Sequence, residues 1–338
     1  MTAASSLVSG PHPAPELAGE AVRQALEKAG SERADGVLLF LTRDFAHHAQ
    51  PALLAAARVA GSMEIAGCTA YGLLTERGWH LDQPAAAALV MAHATPSATG
   101  SAPLLSFSGH RILPYDWQTG VPRAGLLDAE AAAWSHGRVA ADACAEIRLP
   151  GWRARLACSP GLRLLGKPLT VDAANGYDLH RIAGLTARES LQRCLPADLR
   201  AAPPLHHVVL VRQSAAPAVA ILTATSGGTL TVAEPIAAGE QVCWAIRQPL
   251  ASEEDMRQSL AAAVDPENMP DFAVMFSCLG RGPLFYGGED RDLLVWREQF
   301  PGVPLIGAYG SGQIAPAGNG NRLFQNAVVT LLVESPHV

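Results

Sequence analysis

Phe276-Ser277-Cys278-Leu279-Gly280-Arg281 sets a thiol three residues ahead of a guanidinium, at the carboxyl end of an apolar run. A nearby cation stabilises a thiolate, so Cys278 is a candidate nucleophile or redox centre. Arg281 alone can grip a carboxylate or phosphate with its planar fork. Each has an ordinary alternative: a small half-buried residue for Cys278, and for Arg281 an ion pair with an acid such as Glu289. No His or Asn is assignable as a base for Cys278. Cys68, within Gly67-Cys68-Thr69, is weighed in the same way. Tyr309 and Gln313, near Gly310-Ser311-Gly312, offer a phenol and an amide that can bond a ligand or simply pack. Asn326 serves a ligand or satisfies loop backbone.

Other chemistries find little support. His47-His48 and His206-His207 are adjacent pairs, whose side chains point opposite ways in a strand. No HExxH or CxxC spacing is present, so a zinc site is not expected. The GxGxxG, GxxxxGK[ST] and Gly-x-Ser-x-Gly patterns are also missing, which weakens nucleotide-binding and hydrolase readings. A net charge of −6 argues against a nucleic-acid partner. Six cysteines without CxxC spacing suit reduced thiols; no leader-like start or membrane-length apolar stretch is read, so a cytoplasmic protein is expected.

The elements that must hold these residues follow from pattern. With 49% hydrophobic residues in 338, two domains can each bury a core. The segment 1–15, rich in Pro, Ala and Ser, reads as a loose tail. Glu16 to Ala29 and Pro51 to Val59 have helical spacing, while Gly36 to Thr42 is a continuous apolar run suited to a strand covered on both faces. Asp128 is placed to cap a helix reaching Ala143. Asn175-Gly176 marks a hairpin between Leu169–Asp172 and Tyr177–Ile182, and Thr186 with Glu189 forms a capping box. Pro203-Pro204 is the expected boundary, giving domains 16–202 and 203–338.

Two passages read alike. Ala34-Asp35-Gly36-Val37-Leu38-Leu39-Phe40 parallels Pro270-Asp271-Phe272-Ala273-Val274-Met275-Phe276. Each leads through a helix to a short strand carrying two glycines five positions apart, Gly67 and Gly72 or Gly307 and Gly312. The expected fold is therefore α/β, with two related, duplicated halves, mixed sheets and pseudo-symmetry. Crevices beyond the carboxyl ends of the strands would be the binding places, where glycine lets a ligand approach the backbone.

Gly67-Cys68-Thr69-Ala70-Tyr71-Gly72, the stretch Val171 to Leu195, Phe276 to Arg281, Pro304 to Gly312 and Asn326 together resemble the FIST family of bacterial sensory proteins. The resemblance implies a sensory, signal-transducing, non-enzymatic module with FIST N-like and FIST C-like segments. It implies a small polar ligand, an amino acid or small carboxylate, bound between the two halves and lined by Gly67, Cys68, Thr69, Cys278, Arg281, Tyr309, Gly312 and Gln313. Gln313 departs from the family's usual Glu, which would shift preference towards a less basic ligand. No output domain is read in the sequence, so the signal would pass to a signalling protein in trans. No cofactor is the leading expectation. Two alternatives stand beside it: a haem-binding gas sensor, as in a subset of the family, with His93 or His180 as proximal ligand, and a cysteine-dependent enzyme using Cys278.

Overall fold

Val37 to Leu41 is apolar at every position because both faces of its strand, Gly36–Thr42 (β2), are covered. The computed structural model describes residues 2–92, 104–149, 152–213, 217–265 and 268–335. The chain divides into two units, Met1–Ser159 with Met256–Val338, and Pro160–Asp255. The boundary expected at 203 falls inside the second unit.

In the first unit, one sheet runs Thr2–Ser9 (β1), Ala85–Ala92 (β6), β2, Ile65–Ala70 (β3), Ala133–Ser135 (β9) and Arg138–Val139 (β10). A second runs Arg153–Ser159 (β12), Val328–Glu334 (β25), Phe272–Cys278 (β21), Leu305–Gly310 (β22), Gly72–Thr75 (β4) and Gly78–His80 (β5). The first four strands of each share directions: two antiparallel pairings, then a parallel one. A third sheet joins Cys144–Ile147 (β11), Leu104–Ser108 (β7), Arg123–Leu127 (β8), Gly312–Ala317 (β23) and Gly320–Phe324 (β24). The protein is thus α/β with mixed sheets.

Alternate residues of each strand serve different cores. Leu38 and Phe40 of β2 meet Phe107, Leu126, Val274, Phe276 and Leu331 in a core shared by the three sheets. Phe40, Phe107 and Phe276 stand mutually edge-on, with ring centroids 5.5, 6.0 and 6.1 Å apart. Val37, Leu39 and Leu41 instead meet helices Pro15–Ala29 (α1) and Ala49–Ala60 (α2). On the second sheet, Ala273 and Met275 meet Leu293 and Trp296 of Arg291–Gln299 (α5) and Met256 and Leu260 of Pro249–Ala263 (α4).

Two expectations need correction. The start of the chain is not a loose tail: β1 pairs with β6 from Thr2↔Ala92 to Ser9↔Ala85. Its serines are used inside, with Ser6 Oγ donating to Ala21 O. No helix follows Asp128, whose carboxylate receives Arg43 instead, and the segment towards Ala143 holds the short strands β9 and β10. Gly67 to Ala70 lies in the expected strand, and the chain bends at Tyr71, leaving β3 in one sheet for β4 in another.

In the second unit, Leu169–Asn175 (β14), Asp178–Ile182 (β15), Leu230–Val232 (β19), Val219–Ala224 (β18), Val208–Arg212 (β17) and Gln241–Arg247 (β20) form a closed ring, since β17 pairs back to β20. Leu162–Leu164 (β13) and Leu185–Thr186 (β16) extend it. Helix Ala187–Cys194 (α3) opens with the expected capping box of Thr186 and Glu189, and its Leu191 enters the barrel's core. Among the described residues no helix is long and apolar enough to cross a membrane.

The three phenylalanines make a direct test of the shared core. Phe276→Ala should lower unfolding free energy by about 3–5 kcal/mol. In urea, the midpoint should fall with an unchanged slope.

Candidate functional site

The glycines named from the sequence are explained by strands that approach one another. A Cβ on Gly67, where φ is +152°, would lie 1.9 Å from Leu39 O; one on Gly307 would lie 2.3 Å from Met275 O. These are matching places in the two parallel strand pairs. A Cβ on Gly312 would meet Leu323 Cδ1 at 2.6 Å. The neighbours at these sites are protein atoms, so the close approach is already used.

Cys68 is 2% exposed and faces Ala133 across β3 and β9, where burial, helped by the charge of Asp128, pushes its thiol up and away from the reactive form. Thr69 Oγ1 accepts the N–H of Ala132 at 2.9 Å. Cys278 ends β21 and is 6% exposed; a Cβ on Gly280 would lie 3.8 Å from its Sγ and 2.6 Å from Asn326 Oδ1. Gln313 is fully buried, its Nε2 donates to Gly310 O at 3.4 Å, and its Oε1 has no hydrogen-bond partner among the described residues.

Arg281 and Tyr309 do come together, through acids that the sequence analysis did not single out. Arg281 Nε and Nη2 donate to Asp292 Oδ2 and Oδ1 at 3.0 and 2.8 Å, and Nη1 donates to Ser159 O at 2.7 Å. The ion pair weighed with Glu289 is thus made with Asp292, which the first turn of α5 carries. Asp290 caps that helix by accepting Leu293 N–H at 3.0 Å, and its other oxygen accepts the Tyr309 hydroxyl. Burial pushes the Asp290 carboxyl up, against the Tyr309 and Leu293 hydrogen bonds. Burial also dominates at Asp292; Arg281 opposes it and the charge of Asp290 adds to it, leaving the carboxyl pushed up to about 6. The phenol of Tyr309, raised by burial and by Asp290, remains a donor.

Asp290 also lines a cavity of about 360 Å³ with Arg77, Gly78, Trp79, Glu289 and Arg297. Arg77 to Trp79 belong to the β4–β5 hairpin, and the others to α5 and the loop before it. Arg297 Nε donates to Glu76 O, while its Nη1 and Nη2 have no partner among the described residues. Arg77 is 71% exposed and lies 3.7 Å from Glu76 Oε1. Two further cavities measure about 460 and 320 Å³. None of the eight nominated residues lines any of the three. Arg77, Trp79, Asp290 and Arg297 escaped sequence reasoning, and Glu289 was weighed only as an ion-pair partner for Arg281; the one local signal was Asp290 placed three residues before Leu293, the spacing of an N-cap.

Residues 187–316 match the family model described as FIST C domain. The chain shares sequence with mycobacterial proteins as well: 27% identity over 198 residues with uncharacterized protein MT0656 of Mycobacterium tuberculosis, covering 52% of this chain and 50% of the relative. Uncharacterized protein Mb0898c of Mycobacterium bovis is 29% identical over 194 residues, again 52% and 50%. The chain spans about half the length of the curated relatives it matches. FIST domains form a sensory family, and the cavity beside Asp290 takes its α5 wall from inside the matched segment. His180, one of the two histidines considered for haem, is exposed on β15 and bonds Thr229 Oγ1 at 3.1 Å. His93 lies outside the described residues.

Two measurements check these environments. Gln313→Glu should cost about 3 kcal/mol or more in urea unfolding at pH 7, because an ionised carboxylate would be buried beside a carbonyl, and should recover on acidification. Gln313→Leu should stay within about 1 kcal/mol of wild type. Asp290 and Asp292 hold their protons more tightly folded than unfolded. The contribution of Asp292 to stability is therefore full below the ordinary carboxylate pKa and is lost as pH rises through about 6, and that of Asp290 is lost in the same direction. The decline in stability with rising pH should be shallower in Asp290→Asn.

Proposed function

We propose that this protein is a sensory module that binds a small carboxylate, or an amino acid carrying one, in the 360 Å³ cavity between the β4–β5 hairpin and α5. The observation that carries the reading is Arg297. Its Nε is anchored on Glu76 O, which fixes the guanidinium plane, while two N–H-bearing ends are left without protein partners among the described residues. A planar donor fork of that kind suits a carboxylate. Arg77 adds positive charge, the Trp79 ring and Leu293 supply apolar cover, and Glu289 can take an ammonium group when the ligand is an amino acid.

Arg281 and Tyr309 then act as positioning residues. Arg281 holds Asp292 and Tyr309 holds Asp290, so both acids of the α5 start are fixed before a ligand arrives. Binding is the reading, rather than catalysis, because Cys278 is buried at the end of its strand. The loop entering α5 exposes Leu284 by 83%, and a signalling partner in trans would read the ligand's presence there. The shared strand order of the two sheets supports halves of common origin, each giving one wall of the site.

Calorimetric titration with succinate and glutamate tests the site. Arg297→Ala should weaken binding by about 1.5–3 kcal/mol, the range for a hydrogen bond to a charged group, and Arg297→Lys should restore only part of it. At about 100 times the dissociation constant, ligand should add roughly 2.7 kcal/mol of stability. A carboxylate that binds Arg297→Ala as tightly as wild type defeats the assignment.

A further inference from the structure

The largest of the three cavities, about 460 Å³, shares no lining residue with the one beside Asp290. It opens at the amino ends of β2 and β3, where Asp35 and Gly36 begin one strand and Glu64 precedes the other. Its floor is apolar: Met91 from the end of β6, Ile147 at the end of β11, Leu149 just after it, and Trp152. Trp152 is 2% exposed and packs edge-on against Phe272 at 5.0 Å, so this wall is rigid. A volume of this size with apolar walls and a few polar groups is the ordinary form of a small-molecule site.

The rim sets the sign of the ligand. Asp35, Glu64 and Glu146 place three carboxylates around it, against Arg148 and His136. Arg123 answers Glu146 from outside the cavity at 2.8 Å. His136 Nδ1 meets Glu64 Oε2 at 2.8 Å, and both side chains stay more than half exposed, so Glu64 keeps open surface for a second contact. An anion entering here would meet Asp35 and Glu64; an organic cation would meet them favourably, with Trp152 as an apolar and cation-tolerant face.

We propose that this cavity is a second ligand site, taking a primary amine on an aromatic or branched apolar body. Matched probes decide it: 2-phenylethylamine and 3-phenylpropionate present the same ring with opposite charge. Titration of the full chain should give saturable binding of the amine alone, with a change in tryptophan fluorescence that Trp152→Phe abolishes. Glu64 is exposed, so its variants should fold. Glu64→Gln should raise the dissociation constant about three- to five-fold, as expected for a partly exposed charge pair, and Glu64→Lys should raise it further. The proposal is overturned if neither probe binds, if the carboxylate binds as tightly as the amine, or if Glu64→Lys leaves amine affinity unchanged.

Discussion

Three phenylalanine rings fix the spacing on which the first unit depends. Phe40 and Phe276 occupy the same place in their respective sheets, and Phe107 brings in a third sheet to meet both. Their contact leaves little room around them, and the neighbouring positions on β6 are accordingly small, as at Ala85 and Ala87. The outward-facing residues of the same strands are then free to receive helices. Strands covered in this way on both sides admit a polar side chain only if its bonds are made inside the protein.

That restriction explains how charge enters the fold. Arg281 lies with Asp292, and Arg43 with Asp128 at 2.7 Å, its guanidinium stacked 3.3 Å over the Tyr71 ring. Each cation is held by a planar, two-pronged contact that uses its fork. Gln313 is one exception, with one weak bond and one unpaired oxygen, and Ser277 Oγ on β21 and Thr330 Oγ1 on β25 also lack partners among the described residues. The neutrality of Gln313 suits its burial, which is a structural reason for an amide at that place. The two cavities of about 460 and 360 Å³ open where strands begin or a hairpin turns, away from this sealed interior, and there arginines and carboxylates can remain partly wet.

Much of the strand and helix pattern was readable from local chemistry. The apolar run of β2, the Asn175-Gly176 hairpin and the Thr186 capping box all depend on neighbours in sequence, and all are present. What depended on distant partners was not readable. β1 hides behind a serine- and alanine-rich composition because its serines bond inside the fold. Asp128 has the chemistry of a helix cap, yet Arg43, 85 residues away, claims it. The glycines of the two matching motifs signalled a close approach correctly, but nothing local said that another strand would fill the space. The meeting of Arg77 with Arg297 joins a hairpin near the start of the chain to a helix near its end, and no spacing encodes that.

The bend at Tyr71 has a consequence for how the molecule is made. Because β4 leaves its own sheet to pair with β22, the second sheet cannot be completed until residues 305–310 have emerged. Contacts of such long separation make folding slow. The second unit lies between these segments in the chain, and its ends are tied together: Gly161 N–H donates to Asp255, and Ser252 donates to Gly161 O. Once its barrel closes, the residues 160–255 act as a short clasp instead of a long flexible loop, and the entropy lost in joining β12 to the later strands is correspondingly smaller. The inserted barrel thus serves as an assembly aid for the sheets on either side of it in the chain.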